Sequence, residues 1–141
     1  MKFSSKKDML FSAVMLWFNT FLLVGVFLKI IKGGVLDYWG LLVVLCVIGF
    51  IFWLYFGTNY ELTQKDGLIY RSGPFRGKIN AGRITEIVKG KTLWVGFRPA
   101  TSRKGLIIKY DQYNEIYISP KTNESFIEKI LELNGEIKIT E

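Results

Sequence analysis

Histidine is absent from all 141 residues, and cysteine occurs once, at Cys46. These two scarcities exclude histidine-ligated metal centres, Ser-His-Asp and Cys-His nucleophile pairs, and any disulfide within the chain. Disorder is excluded from the other side. Half of the residues are hydrophobic, 16% are aromatic and the mean hydropathy is +0.24, well above what an unfolded polar chain carries. The length allows one ordinary domain, which rules out a large multidomain enzyme, so residues spent in a bilayer leave only a small module for everything else.

Charge is missing from two long runs. Residues 9–28 carry none, with Ser12, Asn19, Thr20 and Gly25 as the interruptions, and a helix of that length reaches roughly 30 Å, the thickness of a bilayer's hydrocarbon core. A second uncharged run covers 38–56, with Tyr38 and Trp39 at one end and Trp53 and Tyr55 at the other, as interfacial aromatic belts require. The reading is two membrane spans, 9–31 and 38–56. Lys32, Gly33, Gly34 and Asp37 form a turn too short to be a domain, so the spans make an antiparallel hairpin, with Lys29 snorkelling to the headgroups. Two buried helices of a soluble protein would need covering on every side, and residues 58–141 are too few for that. A secretory signal fits Lys2, Lys6 and Lys7 but not the length of the run or the Ile30-Ile31-Lys32 that follows it.

Orientation follows from the cations. Lys2, Lys6 and Lys7 precede the first span, and Lys65, Arg71 and Arg76 follow the second, against Lys29 and Lys32 in the turn; both termini, including the basic stretch 1–8, are expected in the cytoplasm. Asn19 and Thr20 near mid-membrane either bond to a neighbouring helix and their own backbone or touch a substrate or partner helix. Cys46 reads as a small hydrophobe. No ionisable side chain occupies either helix centre, which argues against a pump or an ion-coupled transporter.

From Thr58 the pattern changes to alternation. Tyr60 and Leu62 oppose Glu61 and Thr63, Lys65-Asp66-Gly67 supplies a tight turn, and 68–71 returns as a second strand. Ser72-Gly73-Pro74-Phe75 turns the chain again; 78–80 and 84–89 read as short strands around a bend at Ala81-Gly82. A further hairpin joins 104–110 to 115–119 through residues 111–114. Phe126, Ile127, Ile130, Leu131 and Leu133 then recur at helical spacing, with Asn123 as the expected cap and Asn134-Gly135 as the stop. Glu124, Glu128 and Glu132 stripe the outer face, either solvated or facing a basic partner. The tail 136–140 alternates again and ends as an edge strand or as disorder. The expected fold is thus a two-helix transmembrane hairpin followed by a small β-rich domain of about six or seven antiparallel strands and a C-terminal helix, packed as a bent sheet or open barrel.

Several of these residues carry a resemblance. The Gly73-Pro74-Phe75 turn, the spaced Ile79, Ile84 and Ile87, the stretch Arg98-Pro99-Ala100-Thr101-Ser102 leading into residues 104–110, and the closing 116–121 with Phe126-Ile127 occur in an order similar to the bacterial membrane proteins with a YyaB-like, pleckstrin-homology (PH)-like domain. The resemblance covers about 59–133. It implies a PH-like fold on a membrane anchor in a bacterial cell membrane; some such proteins are associated with self-protection against antimicrobial peptides, which is the alternative reading here. No catalytic residue carries over.

Function, on this reading, rests on position and charge. Gly57 and Thr58 alone separate the second span from the first strand, which holds the domain within about 10 Å of the headgroups. Residues 58–110 hold eleven Lys and Arg against three acids, a net of +8, whereas 111–141 are at −4. The basic half either lies on an anionic leaflet, at about 1 kcal/mol per close charge, or has its charges scattered by the fold. In 91–98 cations and aromatics interleave, which suits an interfacial wedge or ligand rim, while the alternation of Leu93, Val95 and Phe97 favours a core strand. Lys91, Trp94, Phe97, Arg98 and Arg103 are the candidate membrane or partner contacts. Gly73-Pro74-Phe75-Arg76-Gly77-Lys78 lacks the spacing and hydroxyl of a phosphate loop. Asn123-Glu124-Ser125, a match to a glycosylation acceptor, would face the cytoplasm. The tight first hairpin turn argues against phosphoinositide binding, and membrane proximity explains the positive charge without nucleic acid. The expectation is a non-enzymatic, cofactor-free membrane protein whose domain contacts the lipid bilayer, a membrane or cytoplasmic protein, or another copy of itself, through sheet edges and the long loop.

Overall fold

The computed structural model describes residues 1–32 and 38–141. Gly33, Gly34 and Asp37, expected in the turn between the spans, lie outside the described residues. Helices α1 (Met9–Ile31) and α2 (Tyr38–Phe56) coincide with the two expected spans. Almost none of either helix is buried, and Trp17, Phe21, Phe27, Trp53 and Phe56 are exposed. Helices apolar on all sides with so little protein around them need a hydrocarbon surrounding. The Asp8 carboxylate caps α1, accepting from the Leu10 amide at 3.2 Å. Asn19 and Thr20 take the backbone option, donating to the Met15 and Leu16 carbonyls at 2.8 Å each, though the buried Asn19 Oδ1 has no partner among the described residues. Cys46 is exposed on α2, facing the side a bilayer would fill.

The rest of the chain forms two four-stranded sheets. The first runs β1 (Lys2–Ser4), β2 (Asn59–Thr63), β3 (Gly67–Ser72) and β4 (Phe75–Ile79), all antiparallel. The second has β5 (Ile84–Lys89) between β6 (Leu106–Tyr110) and β8 (Lys138–Thr140), with β7 (Asn114–Ile118) outside β6. A 3-10 turn at Ala81–Arg83 joins the sheets where the bend was expected, its start capped by the Asn80 side chain on the Gly82 amide. Helix α3 (Asn123–Leu133) closes the domain. Tyr60, Leu62 and Leu68 from one sheet meet Ile87, Leu106, Ile108, Ile116 and Ile118 from the other, with Phe126 and Ile130 of α3 completing one buried core. These are the inward positions of the sequence alternation, as a period of two demands.

The structure departs from the sequence reading in several places. Residues 2–4 of the basic stretch are a sheet strand, registered Lys2 to Glu61 and Ser4 to Asn59. An antiparallel hairpin returns the chain beside its own start, so the segment before α1 meets the segment after α2. The alternation in 93–97 does not make a core strand: Val95 is 82% and Trp94 75% exposed, and Gly96 sits at φ +110°, a conformation that breaks an extended run. Thr122, rather than Asn123, occupies the N-cap of α3, without a side-chain cap bond, and the Asn123 side chain instead donates from Nδ2 to the Lys104 carbonyl at 3.1 Å. The tail takes the edge-strand alternative as β8, but it pairs parallel to β5 where antiparallel strands were expected. In the acidic stripe of α3, Glu124 pairs with Lys89 at 2.8 Å and Glu132 with Lys129 at 2.6 Å.

Candidate functional site

The domain is held to the hairpin at both ends. On the α2 side, the Thr58 hydroxyl donates to the Leu54 carbonyl at 2.7 Å and bonds Ser72 at 2.9 Å, while Gly73 lies so close to Leu54 that a Cβ there would stand 2.9 Å from a Leu54 methyl. On the α1 side, the Asp8 amide donates to the Thr101 carbonyl at 3.2 Å, and Asp8 takes Arg103 at 2.8 Å. That guanidinium, with the Leu10 amide, holds the Asp8 carboxyl below its usual range. Lys7 lies over the rings of Phe56 and Tyr55, at 3.8 and 4.3 Å, with its pKa lowered by burial. Beneath this junction is a buried polar cluster. The Tyr60 hydroxyl donates to the Pro99 carbonyl and accepts from the Ser119 amide at 3.0 Å; Ser5 bonds Thr101 at 2.8 Å and Ser119 at 3.0 Å. Every hydroxyl has a partner, which such burial requires. Two short tethers and this cluster fix which face of the domain lies against the ends of the two helices.

That face consists of the β3–β4 turn and the irregular loop 91–105. Phe75, 52% exposed, and Phe97, 45% exposed, stand with ring centroids 6.5 Å apart, and Tyr70 packs on Phe97 at 5.6 Å. Trp94 and Val95 project beyond them. Phe97 is positioned from behind, its carbonyl accepting from the Tyr117 amide at 3.2 Å. The Arg98 guanidinium lies near the Trp94 and Tyr117 rings, 5.8 and 5.5 Å from their centroids. On the opposite side of the same turn, Arg71 and Arg76 are directly paired across β3 and β4, an arrangement of like charges that destabilises a sheet in water. An apolar groove of about 540 Å³ runs from the loop onto the spans, walled by Phe11, Val14 and Trp17 of α1, by Leu54 of α2, and by Phe97 and Ala100.

Of the residues singled out from sequence, the structure brings Trp94, Phe97 and Arg98 together. Arg103 is bound to Asp8 and lines a separate polar depression with Lys6, Thr92 and Lys104, and Lys91 is exposed on the loop away from the groove lining. The basic segment divides. Lys78, Arg83, Lys89, Arg103 and Lys109 pair with carboxylates of this chain, whereas Lys65, Arg71, Arg76, Lys91, Arg98 and Lys104 have none within salt-bridge distance among the described residues. Sequence reasoning missed Phe75, Val95 and the groove walls on α1. Phe75 sat in a turn and the α1 residues were already assigned to lipid, so only their convergence marks them. Among the described residues no group of acids or Cys is placed to hold a metal.

Residues 58–134 match the family model described as Bacterial PH domain. Over 92 residues the chain is 35% identical to the "Uncharacterized protein YyaB" of Bacillus subtilis (strain 168), a match covering 64% of this chain and 62% of that protein. The chain thus aligns with somewhat under two thirds of that relative's length. No solved structure matches. With the matched segment forming the two-sheet domain and two apolar helices preceding it, the chain belongs to the bacterial PH domain family, as a membrane-anchored member.

Proposed function

We propose that the PH domain is a membrane-apposed module that engages the cytoplasmic leaflet, with 94–97 and Phe75 entering the interfacial region and Arg71, Arg76 and Arg98 meeting anionic headgroups. The observation that carries this reading is the cluster of exposed apolar side chains set beside the domain ends of both spans. Trp94 and Phe97 suit the headgroup level, where an aromatic ring is half-solvated. Each unpaired arginine near an anionic surface contributes about 1 kcal/mol, which also offsets the Arg71–Arg76 repulsion. Cytoplasmic placement of both termini rests on the lysine distribution.

Replacing Cys46 by Ser and labelling Val95→Cys with a polarity-sensitive fluorophore, in vesicles of phosphatidylglycerol and phosphatidylethanolamine, tests the reading. The expected result is a blue-shifted probe quenched by brominated lipid, while the same probe at Tyr113→Cys, in the exposed turn between β6 and β7, stays in water. A Val95 probe as wet as the Tyr113 probe removes the proposal, and a probe buried only when a second protein is present turns it into a protein-binding surface.

A further inference from the structure

The groove at the junction holds more than a general contact with the leaflet. We propose that it is a site for one anionic glycerophospholipid, with an acyl chain along α1 and the phosphate on Arg98; this rests on the membrane-apposed reading above.

Three observations select that occupant. Two walls of the groove are the spans themselves, so it opens onto hydrocarbon rather than water, and a chain entering it comes from the surrounding leaflet. At about 540 Å³ it falls within the roughly 300–1,000 Å³ of small-molecule sites, enough for part of a lipid and too little for a folded partner. The polar groups on its lining are otherwise engaged: Thr58 is bonded to Leu54 and Ser72, and Thr101 to Ser5 and Lys6. Arg98 is different. Its guanidinium stands 5.8 and 5.5 Å from the Trp94 and Tyr117 ring centroids, and it has no hydrogen-bond acceptor or carboxylate partner among the described residues. A planar donor fork within cation–π range of two aromatic rings, on a residue that lines an apolar channel, matches a phosphate oxygen pair at the head of an acyl chain.

The full chain, reconstituted in bilayers of equal phosphatidylglycerol and phosphatidylethanolamine and extracted in mild detergent, is examined by native mass spectrometry. One retained phospholipid per chain is expected, enriched at least fivefold in phosphatidylglycerol. Val14→Trp, which fills the groove from an exposed helix position without touching the domain core, lowers the retained fraction at least fivefold. Arg98→Gln keeps the lipid and loses the preference for phosphatidylglycerol. No retained lipid, or retention unchanged by Val14→Trp, overturns the site, as does an unchanged headgroup preference in Arg98→Gln. A Val95 probe that remains immersed while no lipid is retained removes this site and leaves the leaflet contact standing.

Discussion

Tyr60→Phe removes a single oxygen from the cluster beneath the membrane junction and leaves the ring in place. Packing is unchanged, so the cost comes from the partners: the Ser119 amide loses its acceptor, the Pro99 carbonyl loses its donor, and both are buried. Ser5 loses its 3.2 Å bond to the Tyr60 hydroxyl but keeps its bonds to Thr101 and Ser119. At about 1–3 kcal/mol for each of the two buried groups left unpaired, the expected loss is about 2–6 kcal/mol, which at about 4–8 °C per kcal/mol for a domain of this size lowers the Tm by at least about 8 °C. Thermal unfolding of the full chain in micelles measures it, and hydrogen exchange should quicken first at the Thr101 and Ser119 amides. There is also an alkaline signature. Burial raises the Tyr60 pKa, outweighing the hydrogen bonds that lower it; the folded state therefore holds this proton more tightly than the unfolded chain. The corresponding stability is present below about pH 10 and lost as pH rises through the folded value, and this part of the loss is absent in Tyr60→Phe. A Tm change equivalent to less than about 0.5 kcal/mol would refute the role of this hydroxyl.

Arg76→Glu turns the like-charge pair with Arg71 into an attractive one, so the protein in neutral detergent should gain about 0.2–1 kcal/mol; flotation with phosphatidylglycerol vesicles should show the domain face binding more weakly, and stronger or equal contact would contradict the leaflet role. Phe3→Ala removes an edge-to-face contact with Phe126 at 5.3 Å and should cost about 1–3 kcal/mol by thermal unfolding, an effect unexpected for a disordered basic tail. Asp8, Glu86 and Asp111 all have pKa values lowered, chiefly by hydrogen bonds from Arg103, Lys109 and Arg83. Their contributions are present above about pH 4, the unfolded value, and fade as pH falls through the depressed folded values; Tm should hold from pH 7 to about 5 and decline below 4. In Cys46→Ser with Glu141→Cys, an impermeant maleimide should leave intact cells unlabelled and label them after permeabilisation; labelling of intact cells would reverse the orientation.

The spans were legible because transfer into hydrocarbon is a property of composition: twenty uncharged residues mark a helix in lipid whatever their neighbours do. The two central hairpins, β2–β3 and β6–β7, were equally legible, since alternation and an Asp-Gly turn are local. Strand β1 was not, because three residues with one phenylalanine carry no periodic signal, and their pairing depends on a strand more than fifty residues later. For 93–97 the local signal was present and wrong. Its alternation matched a buried strand, but the positive φ at Gly96 and the approach of the spans turned Trp94 and Val95 outward.

Among the candidate contacts, Trp94, Phe97 and Arg98 could be picked out by composition, while their company could not. The sequence by itself determined two membrane helices, an antiparallel sheet domain with a closing helix, and a basic first half of that domain, because hydrophobicity, period and charge are additive along a chain. Only the tertiary structure decided that Arg98 is left without a carboxylate while Arg103 is claimed by Asp8, and that Phe75, Phe97 and the face of α1 meet at one groove. Those are contacts between segments far apart in sequence, set by two tethers and a buried cluster that close the domain onto its own anchor.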